Sequence, residues 1–372
     1  MAELTTGYNA FAIHLFKVAT EARREKNVFI SPLSVAFTLA MLENGANEAT
    51  LSEIKTALGA KDWVETVRNE RNKRLLDQLA SGNSGVRLEI ANSLWANKDI
   101  AVQPAFIGET RESFHAEVSN LDFTDEAAAA DHINGLVNEQ THGKISNVVD
   151  GLKPEDVLVA VNAVYFKGSW MEKFRKSLTK DKSFKPPVGP KFLHPRMSQD
   201  GSYSYLETRE FQLAALPYRG GGVTAYVLLP KARLAKFLPE LTPPHWKEWL
   251  EKMAERSGTV ELPRFTMECQ YDLKPWLEGL GLHQAFAGSD SFPRIGAHCT
   301  VSKAAQATYV DVNEEGTEAA AATSLTATIG LVDINDLPKP FEMIVDRPFL
   351  FVIQENSTEA ILFMGVIYDP RG

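Results

Sequence analysis

The segment from Val157 to Phe166, VLVAVNAVYF, places the strongest constraint on how this chain can fold. Apart from Asn162, every residue in it is apolar or aromatic, whereas a half-exposed strand alternates apolar and polar residues. The segment is also far shorter than the ~20 residues that a membrane-spanning helix needs. It therefore predicts a strand buried on both faces, inside a sheet that is covered on either side.

The chain has a helix-rich first half and a strand-rich second half. Phe11, Leu15 and Val18 share one helical face, Ser31-Pro32 is a helix start, and Asp125 is the predicted cap of a helix through Ala127–Ala130. Helices are also expected at Pro244–Arg256 and Leu273–Leu280. Further predicted strands are Leu213–Tyr218, Thr224–Leu229, Thr259–Glu268, Ala307–Val312, Phe341–Val345, Phe349–Gln354 and Ala360–Ile367. This order predicts an α+β fold.

No Pro/Gly/Ser-rich linker divides the sequence, so we expect a single domain over residues 1–372, although the length alone allows two. The formal charge of −9 disfavours nucleic-acid binding, because affinity for phosphate polymers comes mostly from excess Lys and Arg. We expect no membrane partner. The first residues lack a basic region and a continuous apolar run, so we expect no signal peptide and a soluble protein, cytoplasmic or secreted with its leader removed.

Signatures of enzymes and of metal or cofactor sites are weak. Two cysteines, Cys269 and Cys299, exclude a disulfide-rich scaffold and a Cys-rich zinc site, and we expect two reduced core thiols or at most one bridge. The eight histidines form no metal-binding motif. Gly82-Asn83-Ser84-Gly85 has the wrong spacing for a nucleophile elbow, and Gly220-Gly221-Gly222 lacks the Lys of a phosphate loop. We therefore expect no catalytic residue, metal or cofactor.

The segment from Glu314 to Pro340 is about twice as long as the loops that compact domains usually tolerate. Read at period two from Thr317, one face is small or apolar as far as Ile329, and the other is small or polar, which is a strand pattern. An Ala-rich helix is the competing interpretation, and we expect it at most over Glu318–Ser324. Consecutive alanines suit a segment that must slide between existing strands, and Gly316 can supply the backbone swing.

The sequence resembles the serpin family over nearly its whole length. The motifs are Asn27–Ser34 with Gly45-Ala46, Val161–Trp170, Leu216–Tyr218, Leu262–Phe265, Asn313–Thr323, Asp346–Phe351 and Phe363–Gly365. Each is short, but their order and spacing together are specific. The resemblance implies the serpin fold, with three β-sheets, about nine helices and an exposed reactive-centre loop at about residues 314–340.

The resemblance also implies suicide inhibition of a protease rather than catalysis. In that family a protease cleaves the loop and becomes acylated through its serine or cysteine, and the cleaved loop then inserts into the large sheet. The expected partner is a target serine protease in a covalent acyl complex, with a cysteine protease as the lesser alternative, and the expected inhibitor is a monomer. A non-inhibitory serpin that acts as a binding or storage protein is the alternative function.

The resemblance to serpins implies two groups of site residues, which we identify by their positions in the family's motifs. The expected hinge is Glu315, Gly316, Thr317, Glu318, Ala319, Ala320, Ala321 and Ala322. The expected shutter, a buried polar cluster where the sheet opens, is Ser31, Ser34, Asn162 and Gln306. The family usually has His where this chain has Gln306, so the hydrogen bonding of the shutter is expected to differ.

Counting from Gly316 places the reactive bond at Gly330-Leu331, with Ile329 as the alternative residue before the cut. Counting back from Asp346 would place it near Leu337, but the hinge side limits the insertion length and is preferred. Residues near the bond are not basic, which disfavours a trypsin-like target and favours an elastase-, chymotrypsin- or subtilisin-like one. Asp333 leaves an Asp-directed protease as a minor alternative.

A weaker candidate is a polyanion site on a predicted helix, formed by Arg68, Arg71, Lys73 and Arg74. Some family members bind glycosaminoglycans in this region. Glu65 and Glu70 interleave with the basic residues, so a solvated helix face is the favoured interpretation.

Overall fold

The structure is a computed structural model that describes residues 2–60, 64–80, 85–288, 290–317 and 339–372. The α-helices of these residues are α1 Ala2–Ala22, α2 Pro32–Glu43, α3 Glu48–Ala57, α4 Glu65–Ala80, α5 Pro104–Phe114, α6 Glu126–Gln140, α7 Leu234–Phe237, α8 Pro243–Glu251, α9 Lys274–Gly279 and α10 Gln284–Ala287. Short 3₁₀ helices lie at Lys176–Leu178 and Leu238–Glu240. None of the helices described is long and apolar enough to cross a membrane.

Fifteen strands accompany them in the described part of the chain. They are β1 Val28–Ile30, β2 Val86–Asn97, β3 Glu117–Leu121, β4 Leu158–Ser169, β5 Lys180–Phe184, β6 Phe192–Glu207, β7 Phe211–Pro217, β8 Val223–Pro230, β9 Ala254–Pro263, β10 Phe265–Asp272, β11 Val301–Asn313, β12 Gly316–Thr317, β13 Phe341–Ile344, β14 Phe349–Glu355 and β15 Ile361–Ile367. The fold is therefore α+β, as predicted.

Several helix starts follow from local capping. The Asp125 side chain accepts from the backbone N–H of Ala128 and caps α6, as the sequence predicted. Asn47 caps α3 in the same way through the N–H of Thr50. Thr242 caps α8, and Pro243 follows at the first helical position, where its missing N–H costs nothing.

The strands form two hydrogen-bonded sheets rather than the expected three. One is six-stranded, in the order β10-β11-β12-β4-β2-β3, with β11 also paired to β4. The other is nine-stranded, in the order β1-β15-β14-β8-β7-β6-β9-β13, with β5 paired to β6. Two of the expected sheets are joined because β6 is 16 residues long and pairs with β5, β9 and β7.

Two predicted elements contain residues that the structure assigns to a different element. The predicted strand Thr259–Glu268 is two strands, because β9 belongs to the nine-stranded sheet and β10 to the six-stranded one, with the break at Pro263-Arg264. The predicted helix to Arg256 ends at Glu251, because Ala254–Pro263 pairs with β6 along its whole length. Tertiary pairing here overrides local helix propensity.

Strand β4 is buried on both faces, which confirms the prediction for Val157–Phe166. Leu158, Ala160, Val164 and Phe166 face the main core, which also contains α2. Val159, Val161 and Ala163 face a second core that contains Ile133 and Val137 of α6. The six-stranded sheet is therefore covered on both sides at its centre.

Candidate functional site

The candidate site is a gap between β4 and β11 at one end of the six-stranded sheet. The two strands pair directly, in parallel, from Leu158 with Val301 to Tyr165 with Tyr309. Beyond that point the short strand β12 lies between them and runs antiparallel to both. Thr317 is opposite Gly168 on β4 and Val312 on β11. Two residues of the expected hinge, Gly316 and Thr317, are thus strand residues of this sheet.

Gly316 is required by this geometry. Its φ of +148° lies in a region that other residues rarely adopt, and an added Cβ would lie 2.0 Å from the carbonyl oxygen of Gly168. The chain reaches β12 through a tight turn at Glu314-Glu315 that begins directly after β11.

Thr317 is fully buried, and its hydroxyl lies 2.7 Å from that of Tyr218. Burial raises the pKa of Tyr218, so its hydroxyl stays protonated. The Tyr218 ring stacks on Trp170, with the ring centres 4.6 Å apart. The Trp170 indole N–H donates to the carbonyl of Asn313 at 2.9 Å. These two aromatic side chains therefore hold both ends of the turn into β12.

Glu314 and Glu315, the two residues of the turn before β12, form ion pairs with basic side chains. Burial alone would raise the pKa of Glu314, but hydrogen bonds from Arg264 and Thr179 lower it. Arg264 Nε is 2.9 Å from the Glu314 carboxylate. Glu315 lies 2.7 Å from the ammonium of Lys173 and 3.1 Å from that of Lys176, and hydrogen bonds from these lysines lower its pKa.

The four predicted shutter residues lie together below the gap. Gln306 Nε2 donates to Asn162 Oδ1 at 2.6 Å and to the Ser31 carbonyl at 2.9 Å. Gln306 Oε1 accepts from the backbone N–H of Ser31 at 3.1 Å. The Ser34 hydroxyl is 2.6 Å from Asn162 Oδ1. All four residues are buried, so these hydrogen bonds satisfy groups that would otherwise be costly.

Two members of this cluster were missed by sequence reasoning. Asn162 Nδ2 donates to Asn92 Oδ1, and Thr38 Oγ1 lies 3.3 Å from the same oxygen. Asn92, Asn162 and Gln306 are directly opposite one another on β2, β4 and β11, and we call these three side chains the amide row. The available signal was the position of Thr38, which is one helical turn after Ser34 on α2.

The predicted polyanion site is corrected at Arg68. Its side chain is fully buried and pairs with Glu43 of α2, and its Nη2 is 3.2 Å from Asn44 Oδ1. It is therefore not available to a polymer at the surface. The other three members of the predicted site each face a carboxylate: Arg71 with Glu3, Lys73 with Asp77 and Arg74 with Glu70.

Other predicted residues are distant from this chemistry or fall outside the description. Cys269 and Cys299 are both free, and burial raises the pKa of the Cys299 thiol to about 12. Gly220 and Gly221 form the turn between β7 and β8. Glu318, Ala319, Ala320, Ala321 and Ala322, the expected reactive bond Gly330-Leu331 and the alternative residue Ile329 lie outside the described residues.

Comparison with known proteins gives one consistent result. A family model described as Serpin (serine protease inhibitor) matches residues 6–370. An uncharacterized serpin-like protein of Thermococcus kodakarensis is 34% identical over 98% of this chain and 85% of its own length. The leukocyte elastase inhibitor of Sus scrofa is 33% identical over 100% of both chains. The crystal structure of human thyroxine-binding globulin complexed with thyroxine superimposes with a TM-score of 0.91 at 27% identity, covering 100% of this chain and 99% of that one.

Proposed function

The chain belongs to the serpin family, and we propose that it is a single-use covalent inhibitor of serine proteases that inserts its own cleaved loop between β4 and β11. Members of this family are generally protease inhibitors and not enzymes. The observation that carries the proposal is the pairing of β12 with both strands. A loop that continued β12 would enter the sheet with its register already fixed.

The register of β12 defines where each later loop residue would lie. Each step along the loop moves one residue back along β4 and one back along β11. Counted from Thr317 in the same register, Thr323 would lie opposite Asn162 on β4 and opposite Gln306 on β11. Ala327 would be opposite Leu158, the first residue of β4. The sheet thus has places for residues 318–327, which would extend ~33 Å along it.

In an inserted strand, every second residue would point to the same side as Thr317. These residues are small or apolar: Ala319, Ala321, Thr323, Leu325 and Ala327. Alanine side chains meet little steric resistance as the strands separate. The amide row lies on this same face, so the Thr323 hydroxyl would replace the hydrogen bond between Gln306 and Asn162. The buried amides would then keep a partner throughout insertion.

Insertion would replace one direct pairing of strands by two antiparallel pairings. At ~0.5–1.5 kcal/mol per hydrogen bond, the extra ladder over ten residues supplies on the order of 10 kcal/mol. This value is comparable to the stability of a whole domain. It is large enough to make the cleaved, inserted state effectively irreversible.

The reactive bond that we propose, Gly330-Leu331, begins three residues after Ala327, the last residue that would pair with β4. The serine Oγ of the protease attacks the Gly330 carbonyl carbon, forms an ester and releases the amino group of Leu331. Because Ala327 would reach the far end of β4, the attached protease would be carried along the sheet before the ester is hydrolysed. Hydrophobic residues around the bond support an elastase-, chymotrypsin- or subtilisin-like target.

The experiment is incubation of the protein with elastase, chymotrypsin and subtilisin, followed by denaturing electrophoresis and mass spectrometry. We expect an SDS-stable complex with at least one of them, and a released peptide that begins at Leu331. The control is the same protease with its serine blocked, which should give no complex. Clean cleavage by all three proteases without any complex would contradict the proposal.

The alternative is a non-inhibitory serpin that binds a ligand, and the similarity to thyroxine-binding globulin is the observation that favours it. The two functions predict different effects of loop cleavage on thermal stability. A carrier that does not insert its loop would show the same melting temperature before and after cleavage. An inhibitor that inserts its loop would show a higher melting temperature after cleavage than before.

A further inference from the structure

Helix α4 is attached to its neighbours largely through buried polar side chains. Its buried residues are Arg68, Asn69, Asn72, Leu75 and Leu76, so three of the five are polar. A helix that packs on a core usually buries an apolar stripe instead. Each buried polar group needs a hydrogen-bond partner, because bulk water no longer reaches it.

Many of these groups have no partner in the protein. Six side-chain atoms at the junction of α2, α4 and α5 are buried and make no hydrogen bond with the residues that the structure describes: Glu43 Oε2, Asn44 Nδ2, Arg68 Nε, Asn69 Oδ1, Asn72 Nδ2 and Thr110 Oγ1. None of these six residues is more than 4% exposed. An unpaired buried polar group is costly, so six of them at one junction require a further partner.

The orientation of the amides on α4 does not remove this shortage. The Tyr8 hydroxyl of α1 donates to Asn72 Oδ1 at 2.7 Å, and Asn69 Nδ2 donates to Glu109 Oε1 of α5 at 2.6 Å. Each amide therefore has a partner at one of its two polar atoms. Turning either amide over would exchange its oxygen and nitrogen, and one atom would still lack a partner.

The unpaired atoms indicate which kind of ligand would satisfy them. Three of the six are N–H donors, two are carboxylate or amide oxygens that accept, and the Thr110 hydroxyl can do either. A cation is bound by oxygen atoms and repelled by N–H groups, whereas an anion would be repelled by the Glu43 carboxylate. Water both donates and accepts, so it matches this mixed set.

We propose that the junction of α2, α4 and α5 is a binding site for ordered water molecules, which complete the hydrogen bonds of these six atoms. Because a buried water makes about three hydrogen bonds, at least about two molecules are needed. Helix α4 is then held to α2 and α5 through exchangeable water as well as through the pair of Arg68 and Glu43. This property is separate from protease inhibition and uses none of the residues around the gap.

The direct test is a crystal structure of the full-length protein at a resolution where ordered water is visible. We expect density for water molecules at the junction, each ~2.6–3.2 Å from at least two of the six atoms. Absence of such density would overturn the proposal. So would side chains rearranged so that the six atoms pair with one another, or a single bound ion in place of water.

Thr110→Val is an independent test in solution, because valine is close to threonine in size and lacks the hydroxyl. If the Thr110 hydroxyl is bonded to water, the substitution removes a hydrogen bond. We then expect the equilibrium constant for unfolding in urea to rise about fivefold. In a dry junction the same substitution would remove an unpaired buried hydroxyl and make the protein more stable.

Thr308→Val is the matched control for the size of this effect. Thr308 is also fully buried, and its hydroxyl donates to the Phe29 carbonyl at 2.7 Å, so the variant loses one hydrogen bond within the protein. We expect losses of similar size in the two variants. Unchanged or higher stability of Thr110→Val, beside a clear loss in Thr308→Val, would overturn the proposal. Because formation of the covalent protease complex is measured separately, failure here leaves the proposed inhibitory function unaffected.

Discussion

The amide row contains the polar groups that must change partners if the six-stranded sheet accepts a new strand. Asn92, Asn162 and Gln306 have almost no contact with solvent. A buried amide that loses a hydrogen bond without replacement costs ~1–3 kcal/mol. If the loop inserts as proposed, the identity of the residue that reaches this row would affect the rate of insertion and the stability of the inserted state.

We predict that Thr323→Val weakens inhibition without changing the shape of the loop. Valine matches threonine in size but leaves Asn162 and Gln306 without the incoming hydroxyl. More inhibitor should then be cleaved as a substrate, and the gain in melting temperature on cleavage should be smaller by the equivalent of ~1–3 kcal/mol. The measurement is the number of inhibitor molecules consumed per protease inactivated.

Thr326→Val is the matched control for this prediction, because residue 326 would point to the opposite face of the inserted strand. It removes a hydroxyl from the same loop but leaves the amide row unaffected. Equal effects of the two substitutions would contradict the register derived from β12.

The buried pair of Arg68 and Glu43 leads to a prediction about pH. Burial raises the pKa of Glu43 from 4.5 to about 7, although the neighbouring Arg68 opposes the shift. Between these pH values the folded state holds a proton that the unfolded state has lost. The free energy of unfolding should therefore decrease as the pH rises from about 5 to 8, by ~1–3 kcal/mol from this residue.

Glu43→Gln removes this titration, so its urea-unfolding free energy should change less between pH 5.5 and pH 8 than that of the natural sequence. Gln still offers Arg68 an oxygen acceptor, and the variant should fold. Parallel pH profiles for the two proteins would show that Glu43 does not titrate in this range.

The polar cluster shows how far residue-level prediction can reach. Ser31, Ser34, Asn162 and Gln306 could be selected because a resemblance supplied their positions. Asn92 could not, because its partner depends on the register between β2 and β4, and that register depends on residues about 70 positions apart in the chain. The buried state of Arg68 was missed for the same reason, since its carboxylate partner belongs to another helix.

At the scale of secondary-structure elements, the clearest prediction concerns the loop and the two strands, β4 and β11, between which it would insert. Ala321 would lie opposite Val164 and Thr308, in the middle of the sheet. Proline there lacks the N–H that the ladder needs and clashes with its neighbours. We predict that Ala321→Pro is cleaved normally but forms no SDS-stable complex.

Asp336→Pro is the control for this variant, because it adds a proline beyond the expected reactive bond. It should retain inhibition. If Ala321→Pro still trapped a protease as efficiently as the natural sequence, insertion between β4 and β11 would be excluded as the inhibitory step.

Element bounds were predictable where the apolar pattern is strong and the ends are marked. Strand β4 and the start of α6 are examples. Strand β6 was not predicted, because its exposed and polar residues gain their strand conformation from pairing with β9. The same pairing shortens α8, so both errors have one physical cause: long-range hydrogen bonding decides the conformation of segments with weak local preference.

For the whole molecule, the relevant quantity is the stability difference between the intact and the cleaved chain. If cleavage adds a strand worth on the order of 10 kcal/mol, the melting temperature should rise by roughly 13 °C. Calorimetry before and after limited proteolysis of the loop measures this rise directly. An unchanged melting temperature would favour the carrier function and count against the inhibitory one.

For the molecule as a whole, the sequence patterns predicted the fold class but not how the sheets are connected. The α+β class follows from the order of helical and strand patterns along the chain. Whether the strands form two or three hydrogen-bonded sheets depends on β6, which continues through the position where separate sheets would divide. The length of β6 depends on its pairing with β5, β7 and β9, which no local residue pattern indicates.

The short turn at Glu314-Glu315 has a consequence for how the chain folds. Pairing of β11 with β4 brings together segments that are distant in the chain, since Gln306 and Asn162 are 144 residues apart. By contrast, only Glu314 and Glu315 separate the end of β11 from the start of β12. Local hairpins form much faster than contacts between distant segments. A molecule with an exposed loop can therefore form only if β4 pairs with β11 before the loop folds back onto β11. Refolding from denaturant should divide molecules between an active form and an inactive form that has already inserted its loop.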